Sequence, residues 1–298
     1  MWADTQVGLY APCSAKALAE RPSVYTDAML AQILRDLHHG PPILVLPNAW
    51  DAISARLFEA EGFPAVATTS AGVAAALGYP DGGVVPSNEM IEAIGRIARA
   101  VRVPVTADIE HAYAATPDAV ADIVLRVVAT GAVGINLEDC VPGAASLEPL
   151  GVQADKIATI RKATAKAGVP IVINARTDGF LRGFGDPATR LETAIARGQA
   201  FLAAGADCVF VPGVIDPPTI AALVSGIGGP INVLAVAGMP SIAELEALGV
   251  ARVSVGSGPH RAAMAIVRDV ARELRTRGTY TAFTDRALEY DEVNELLK

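Results

Sequence analysis

Three short segments of this chain end in charge, and their alternation aims that charge at one place. They read VTADIE (105–110), VGINLED (133–139) and IVINAR (171–176). Successive side chains of a strand point to opposite faces. Thr106, Asp108 and Glu110 therefore share one face, opposite Val105, Ala107 and Ile109. Asn136 and Glu138 likewise oppose Ile135 and Leu137, while Asn174 and Arg176 oppose Ile171, Ile173 and Ala175. Asp108, Glu110 and Glu138 then crowd three carboxylates together, and Asp81 in the loop YPDGG (79–83) can add a fourth. At ~5 Å and an effective dielectric near ~20, each like-charge pair costs on the order of 3 kcal/mol. One arginine cannot neutralise such a cluster, but a divalent cation with hard oxygen ligands can. Magnesium, with manganese as a substitute, suits carboxylates that hold it partly through water. No histidine pair has metal-ligand spacing, which argues against zinc. Arg176 is left to grip an anionic substrate, ideally a carboxylate in bidentate fashion. A metal and an arginine around one oxygen can stabilise an enolate.

The elements that must carry these residues recur at regular intervals. Apolar, β-branched runs lie at 43–47, 65–70, 104–110, 133–139, 170–176, 207–212, 231–236 and 252–256. Helical periodicity fills the intervals, for example at 88–101, 118–131, 156–168, 188–205 and 241–249. Gly62, Gly131, Gly168, Gly205 and Gly249 stand where left-handed helix C-caps belong. Repeated β–α units imply parallel strands, and eight of them imply a closed (β/α)8 TIM barrel with its active site at the C-terminal strand ends. A doubly wound open sheet is the alternative, but no GxGxxG follows the first strand. The amphipathic stretch 259–280 and the short helix at 291–298 exceed what barrel closure needs, so part of this region can pack on a partner subunit.

Composition narrows the function classes. The 298 residues carry a formal charge of −8, which argues against nucleic acid or an anionic membrane as partner. No run approaches the roughly 18–20 apolar residues of a membrane span. Cys13, Cys140 and Cys208 are odd in number and lack a CxxC pair, as expected of a reducing, cytoplasmic setting. Residues 1–28 show no clear period and are expected to form an N-terminal extension without secretory character, followed by one barrel domain over 29–298. Among isolated candidates, Asp51 suits a helix cap, His111 a proton donor, Cys140 a thiol, and His260 a cap or phosphate-side group. His38 and His39, ahead of the barrel, read as surface residues.

In this order, PNAWDA (47–52), TTSAG (68–72), YPDGG (79–83), ADIEHAY (107–113), LEDC (137–140) and NARTDGF (174–180) resemble the isocitrate lyase/phosphoenolpyruvate mutase superfamily. The resemblance runs from about residue 30 to 280. It implies a (β/α)8 barrel that binds Mg²⁺ and small 2-oxo or 2-hydroxy acids and works through an enolate. It also implies a homodimer or homotetramer built by exchanging the last barrel helix. Carried over by position, Asp108 resembles the direct metal ligand, and Asp81, Glu110 and Glu138 the residues holding metal-bound waters. Arg176 matches the substrate-binding arginine. Ser70, Ala71 and Gly72 match the turn whose amides receive the substrate carboxylate, and Trp50 an aromatic wall beside it. The segment 140–153, CVPGAASLEPLGVQ, departs from the pattern. It lacks the Lys-Lys/Arg-Cys-Gly-His loop of the isocitrate and methylisocitrate lyases, and the Lys- and Asn-rich gating loop of the phosphonate mutases and hydrolases is missing as well. A reaction needing only an electron sink fits better: decarboxylation of an oxaloacetate-like acid, or retro-aldol cleavage of a substituted malate, with Arg176, Asp81 and Glu138 as catalytic residues. The alternatives are a phosphonopyruvate-type mutase or hydrolase, in which Asp81 or a water attacks phosphorus, and a non-catalytic barrel that binds a metabolite.

Overall fold

The computed structural model describes residues 25–141, 143–285 and 287–298. Residues 1–24 of the expected extension thus lie outside the described residues. Nine strand segments run parallel in one sheet: β1 (Leu44–Leu46), β2 (Asn48–Ala49), β3 (Val66–Thr68), β4 (Val105–Asp108), β5 (Gly134–Glu138), β6 (Val172–Arg176), β7 (Cys208–Phe210), β8 (Ile231–Leu234) and β9 (Arg252–Ser254). β1 pairs with β9, and β2 pairs with β3. β1 and β2 are two pieces of one strand broken at Pro47, which has no N–H to give the ladder. Its carbonyl still accepts the Ala67 N–H at 2.8 Å. The two ends of the sheet therefore meet at Pro47, and nine segments make an eight-stranded closed barrel.

The alternation expected of the central strands is obeyed. Val105, Ala107, Ile109, Ile135, Leu137, Ile171, Ile173 and Ala175 pack in the core with residues such as Met90, Ile94, Val124 and Ile157 of the surrounding helices. Fully burying each such aliphatic side chain is worth about 1.5–3 kcal/mol. The opposite parity faces the lumen. All five glycines expected at helix ends have positive φ, between 80° and 105°. One boundary differs: the helix expected over 156–168 already starts at Leu150, directly after Pro149 at φ −52°.

The foot of the barrel is closed by helix α1 (Asp27–Asp36), whose Thr26 cap accepts the Met29 N–H. Ala31 and Leu34 pack there on Leu44, Leu46, Ala67 and Val172. Arg35 secures the plug through Asp207 at 2.9 Å and the Pro170 carbonyl at 2.6 Å. His38 belongs to this plug and is buried, a correction to its reading as a surface residue. Its Nδ1–H donates to the Leu34 carbonyl at 2.8 Å, while Nε2 has no partner. Burial first, then the Arg252 charge, push its pKa down to about 4.

The long helix Gly258–Arg277 closes the chain's circuit but buries only His260 and Glu273. Met264, Ile266, Val267 and Leu274 are exposed along it, as are Tyr280 and Tyr290 beyond it. Glu273 holds the following corner by accepting the Thr281 and Ala282 N–H groups at 3.0 and 2.6 Å.

Candidate active site

Asp108 ends β4 on the lumen side, and its surroundings orient the carboxylate without neutralising it. Oδ2 accepts the Ser70 N–H at 2.9 Å and the Ser70 hydroxyl at 2.8 Å. Oδ1 accepts Asn136 Nδ2–H at 2.9 Å, and Asn136 Oδ1 accepts Asn174 Nδ2–H at 3.0 Å. Sheet register causes this ladder, since Asp108 pairs with Asn136 and Asn136 with Asn174. Ser70 is delivered by a helix that begins as soon as β3 ends, with Thr69 as its cap. The expected carboxylate-binding turn is thus the first turn of that helix (Ser70–Leu77). Gly72 is required there: a Cβ would sit 2.7 Å from Thr69 Cγ2 and 2.9 Å from Trp50 Cβ.

Arg176 ends β6 one register step further out, opposite Glu138. Its Nη1 lies 2.9 Å from Glu138 Oε2. Nε and Nη2 form a fork on Asp178 at 2.6 and 3.1 Å. The bridge to Glu138 and a place at the cavity wall therefore coexist, with both acids behind the guanidinium. Burial pushes Glu138 well above the usual carboxylate range, while Arg176 pulls the other way.

Glu110 lies beyond the end of β4 at φ 51°, and Ala112 and Tyr113 are also left-handed, at 64° and 55°. Non-glycine residues in this region cost about 1–3 kcal/mol each and persist where surrounding contacts over-determine them. Here Tyr113 Oη donates to Glu110 Oε1 at 3.2 Å, and the Glu110 carbonyl accepts the Glu138 N–H at 2.9 Å. Burial pushes the Glu110 carboxyl up to about 7, with the Asp108 and Asp81 charges adding to it. Gly82 and Gly83, at φ 103° and 74°, let the loop carrying Asp81 fold back over this end of the barrel.

Part of this constellation lines a cavity of about 150 Å³ walled by Ser70, Ala71, Asp81, Asp108, Asn136 and Arg176. Phe210, Leu234, Arg252, Ser254 and Ser257 make its other side. Glu110, Glu138, Trp50 and Gly72 are not part of the wall. Trp50 instead stacks edge-on against His260, with ring centroids 5.3 Å apart.

A cation fits this donor set in one particular way. Asp81, Asp108 and Glu110 have no ion-pair partner among the described residues. No three His, Cys, Asp or Glu residues among the described ones form a direct ligand cage. One direct carboxylate with the others reached through water meets both facts, and that is how magnesium is usually held.

The phosphoenolpyruvate phosphomutase model matches residues 34–275. The chain belongs to that family. The Mycobacterium tuberculosis protein Rv1998c, described as uncharacterized, is 39% identical over 238 residues, 80% of this chain and 86% of its own length. A Bradyrhizobium oxaloacetate decarboxylase is 30% identical over 82% of this chain and 84% of its own. A solved structure of 2,3-dimethylmalate lyase, a PEP mutase/isocitrate lyase superfamily member, superposes with a TM-score of 0.79 at 25% identity, covering 90% of this chain and 95% of that one. Family membership makes the chain an enzyme of the superfamily's lyase/mutase type.

The other candidates of this family member are not part of the cavity wall. Asp51 is a helix cap, accepting the Ser54 N–H at 2.8 Å. Cys140 is buried, stands outside the cavity wall, and its thiol is pushed up by burial. His111 packs on Tyr113, with its Nδ1 buried and unpartnered. Asn136, Asp178 and Arg252 were missed as site residues. Asn136 and Arg252 share the lumen parity of the charged tips, and Asp178 follows two residues after Arg176, so the signal was present without distinguishing them from polar barrel filling.

Proposed function

We propose that this enzyme cleaves a C–C bond of a small 2-oxo or 2-hydroxy carboxylic acid, oxaloacetate-like or a substituted malate, with Mg²⁺ held at Asp108. The observation that carries this reading is the charge gathered in one small cavity: Asp108 and Asp81 without ion pairs, and the anchored Arg176 guanidinium in the same wall. A bound magnesium ion would supply positive charge where the substrate's oxygens become enolate-like. Asp108 would hold it directly, with Asp81, Glu110 and Glu138 reached through its waters. Arg176, its fork fixed from behind by Asp178 and Glu138, is preorganised to donate to the substrate. The first turn at Ser70, Ala71 and Gly72 would receive the head carboxylate, and Trp50 would hold that turn in place through Gly72 rather than form a wall. In decarboxylation the bond to the departing CO2 breaks, its electron pair stays on the remaining 2-oxo acid as an enolate, and C3 takes a proton from water. In the retro-aldol case the 2-hydroxyl gives its proton to water and the C2–C3 bond breaks; its electron pair leaves on C3 as a carboxylate enolate, which takes a proton from water, so that the products are a 2-oxo acid and a carboxylate. The 30% identical oxaloacetate decarboxylase and the 2,3-dimethylmalate lyase fold support these two substrate classes.

Product NMR in D2O with Mg²⁺ and oxaloacetate, 2,3-dimethylmalate, 2-methylisocitrate and phosphonopyruvate tests the proposal. A 2-oxo acid product that disappears in Asp108→Ala supports it, and inertness towards the carbon acids counts against it. Asp81 in the cavity wall favours a second reading, phosphonopyruvate mutase or hydrolase chemistry, which the same experiment reveals as phosphate release or phosphoryl rearrangement. The apolar face of Gly258–Arg277 supports assembly into a homodimer or homotetramer by helix exchange, checked by light scattering.

A further inference from the structure

The β9 side of the cavity holds a buried charge that makes no ion pair among the described residues. Arg252 points into the lumen and is 2% exposed. Its Nε donates to Ser254 Oγ at 3.2 Å, while Nη1 is buried with no hydrogen-bond partner. Among the described residues it makes no ion pair, unlike the buried Arg197 on Asp139 or Lys156 on Glu148. Its closest neighbours offer no ion pair: burial pushes the Cys208 thiol up to about 12, and His38 is neutral above its lowered pKa, while the Asp108 carboxylate acts on Arg252 only at a distance. Asn232 spends its side chain on Ser254, at 3.1 Å. Buried ions in proteins are ordinarily paired and fully hydrogen-bonded. A guanidinium without an ion pair in the wall of a small-molecule cavity can receive an anion, and the planar fork suits a carboxylate.

The same cavity is bounded by Asp108 and Ser70 on its far side. We propose that Arg252, with Ser254 beside it, binds the second carboxylate of the substrate, so that the enzyme selects short diacids over monocarboxylic acids with the same head. This rests on the reading above for the head group, which lies at the Ser70 turn and Arg176. The distal carboxylate reaches across the lumen to β9. A cavity of about 150 Å³ has room for a chain of a few carbons between the two ends.

Calorimetric titration with Mg²⁺ present compares malate with lactate, which share the 2-hydroxy acid head and differ by the distal carboxylate. Wild type should bind malate at least about tenfold more tightly, as expected for a charge-assisted contact. Arg252→Met, matched in bulk, should reduce that ratio to about twofold or less, with lactate affected far less than malate. Arg252→Lys should recover part of the ratio, and a melting curve on each variant establishes that it folds. Equal binding of both acids by wild type, or equal weakening of both by Arg252→Met, overturns the role of Arg252. The head-group reading survives that result provided both acids still require Asp108. If wild type binds neither acid, the two proposals fall together.

Discussion

The two sides of the barrel mouth are built on opposite electrostatic plans. From β3 to β6, polar groups are linked: Ser70 and Asn136 hold Asp108, Asn174 holds Asn136, and Arg176 is clamped by Glu138 and Asp178. From β7 to β9 the wall is Phe210, Leu234 and Ser254, with one unpaired guanidinium at Arg252. The first side is preorganised and carries surplus negative charge. The second leaves a positive group open. Preorganised charge serves chemistry, because it costs no reorganisation in the transition state, whereas an open, desolvated charge serves selection between ligands.

The sharpest way to break the first side is Asp108→Ala. Turnover should fall by roughly 10³-fold or more, and Mg²⁺ should no longer raise the melting temperature. Arg176→Lys keeps the charge but loses the fork on Asp178. Its kcat/KM should drop about 100-fold, measured with whichever acid wild type cleaves. Beneath the mouth, His38 gives a contrast that needs no substrate. Its folded pKa lies below the ordinary 6.5, so the unfolded chain binds the proton first as pH falls. Its stabilising contribution is full above about pH 6.5 and is lost as pH falls towards 4, on the order of 3 kcal/mol in total. Urea midpoints for wild type and His38→Gln should differ in slope across that window and run parallel above it. Gly72→Ala should give the smallest effect, a loss of about 1–3 kcal/mol from overpacking against Thr69 and Trp50. A melting curve without loss of fold checks it.

Much of the mouth was legible before any coordinates. Alternation with a period of two placed Asp108, Glu138 and Arg176 on the lumen side, because parity in a strand survives any packing that keeps the strand. What parity could not supply was height. Register sets Asp108 level with Asn136, and Glu138 level with Arg176, so the carboxylates do not all converge and Glu138 serves Arg176 first. His38 looked like surface because a short helix ahead of the first strand gives no hint that it plugs the foot.

The order of β–α units, the inward polar residues and the acid-rich strand tips belong to the sequence alone, since they follow from local periodicity and covalent order. Which of those residues share a wall is a different matter. The pairing of Arg176 with Asp178, the cavity shared by Asp108 and Arg252, and the lack of an ion pair for Arg252 among the described residues were decided by the closed barrel. Closure brings β9 beside β1 and sets positions far apart in the chain across one lumen, and charges pair or stay open according to distance in space, not distance along the chain.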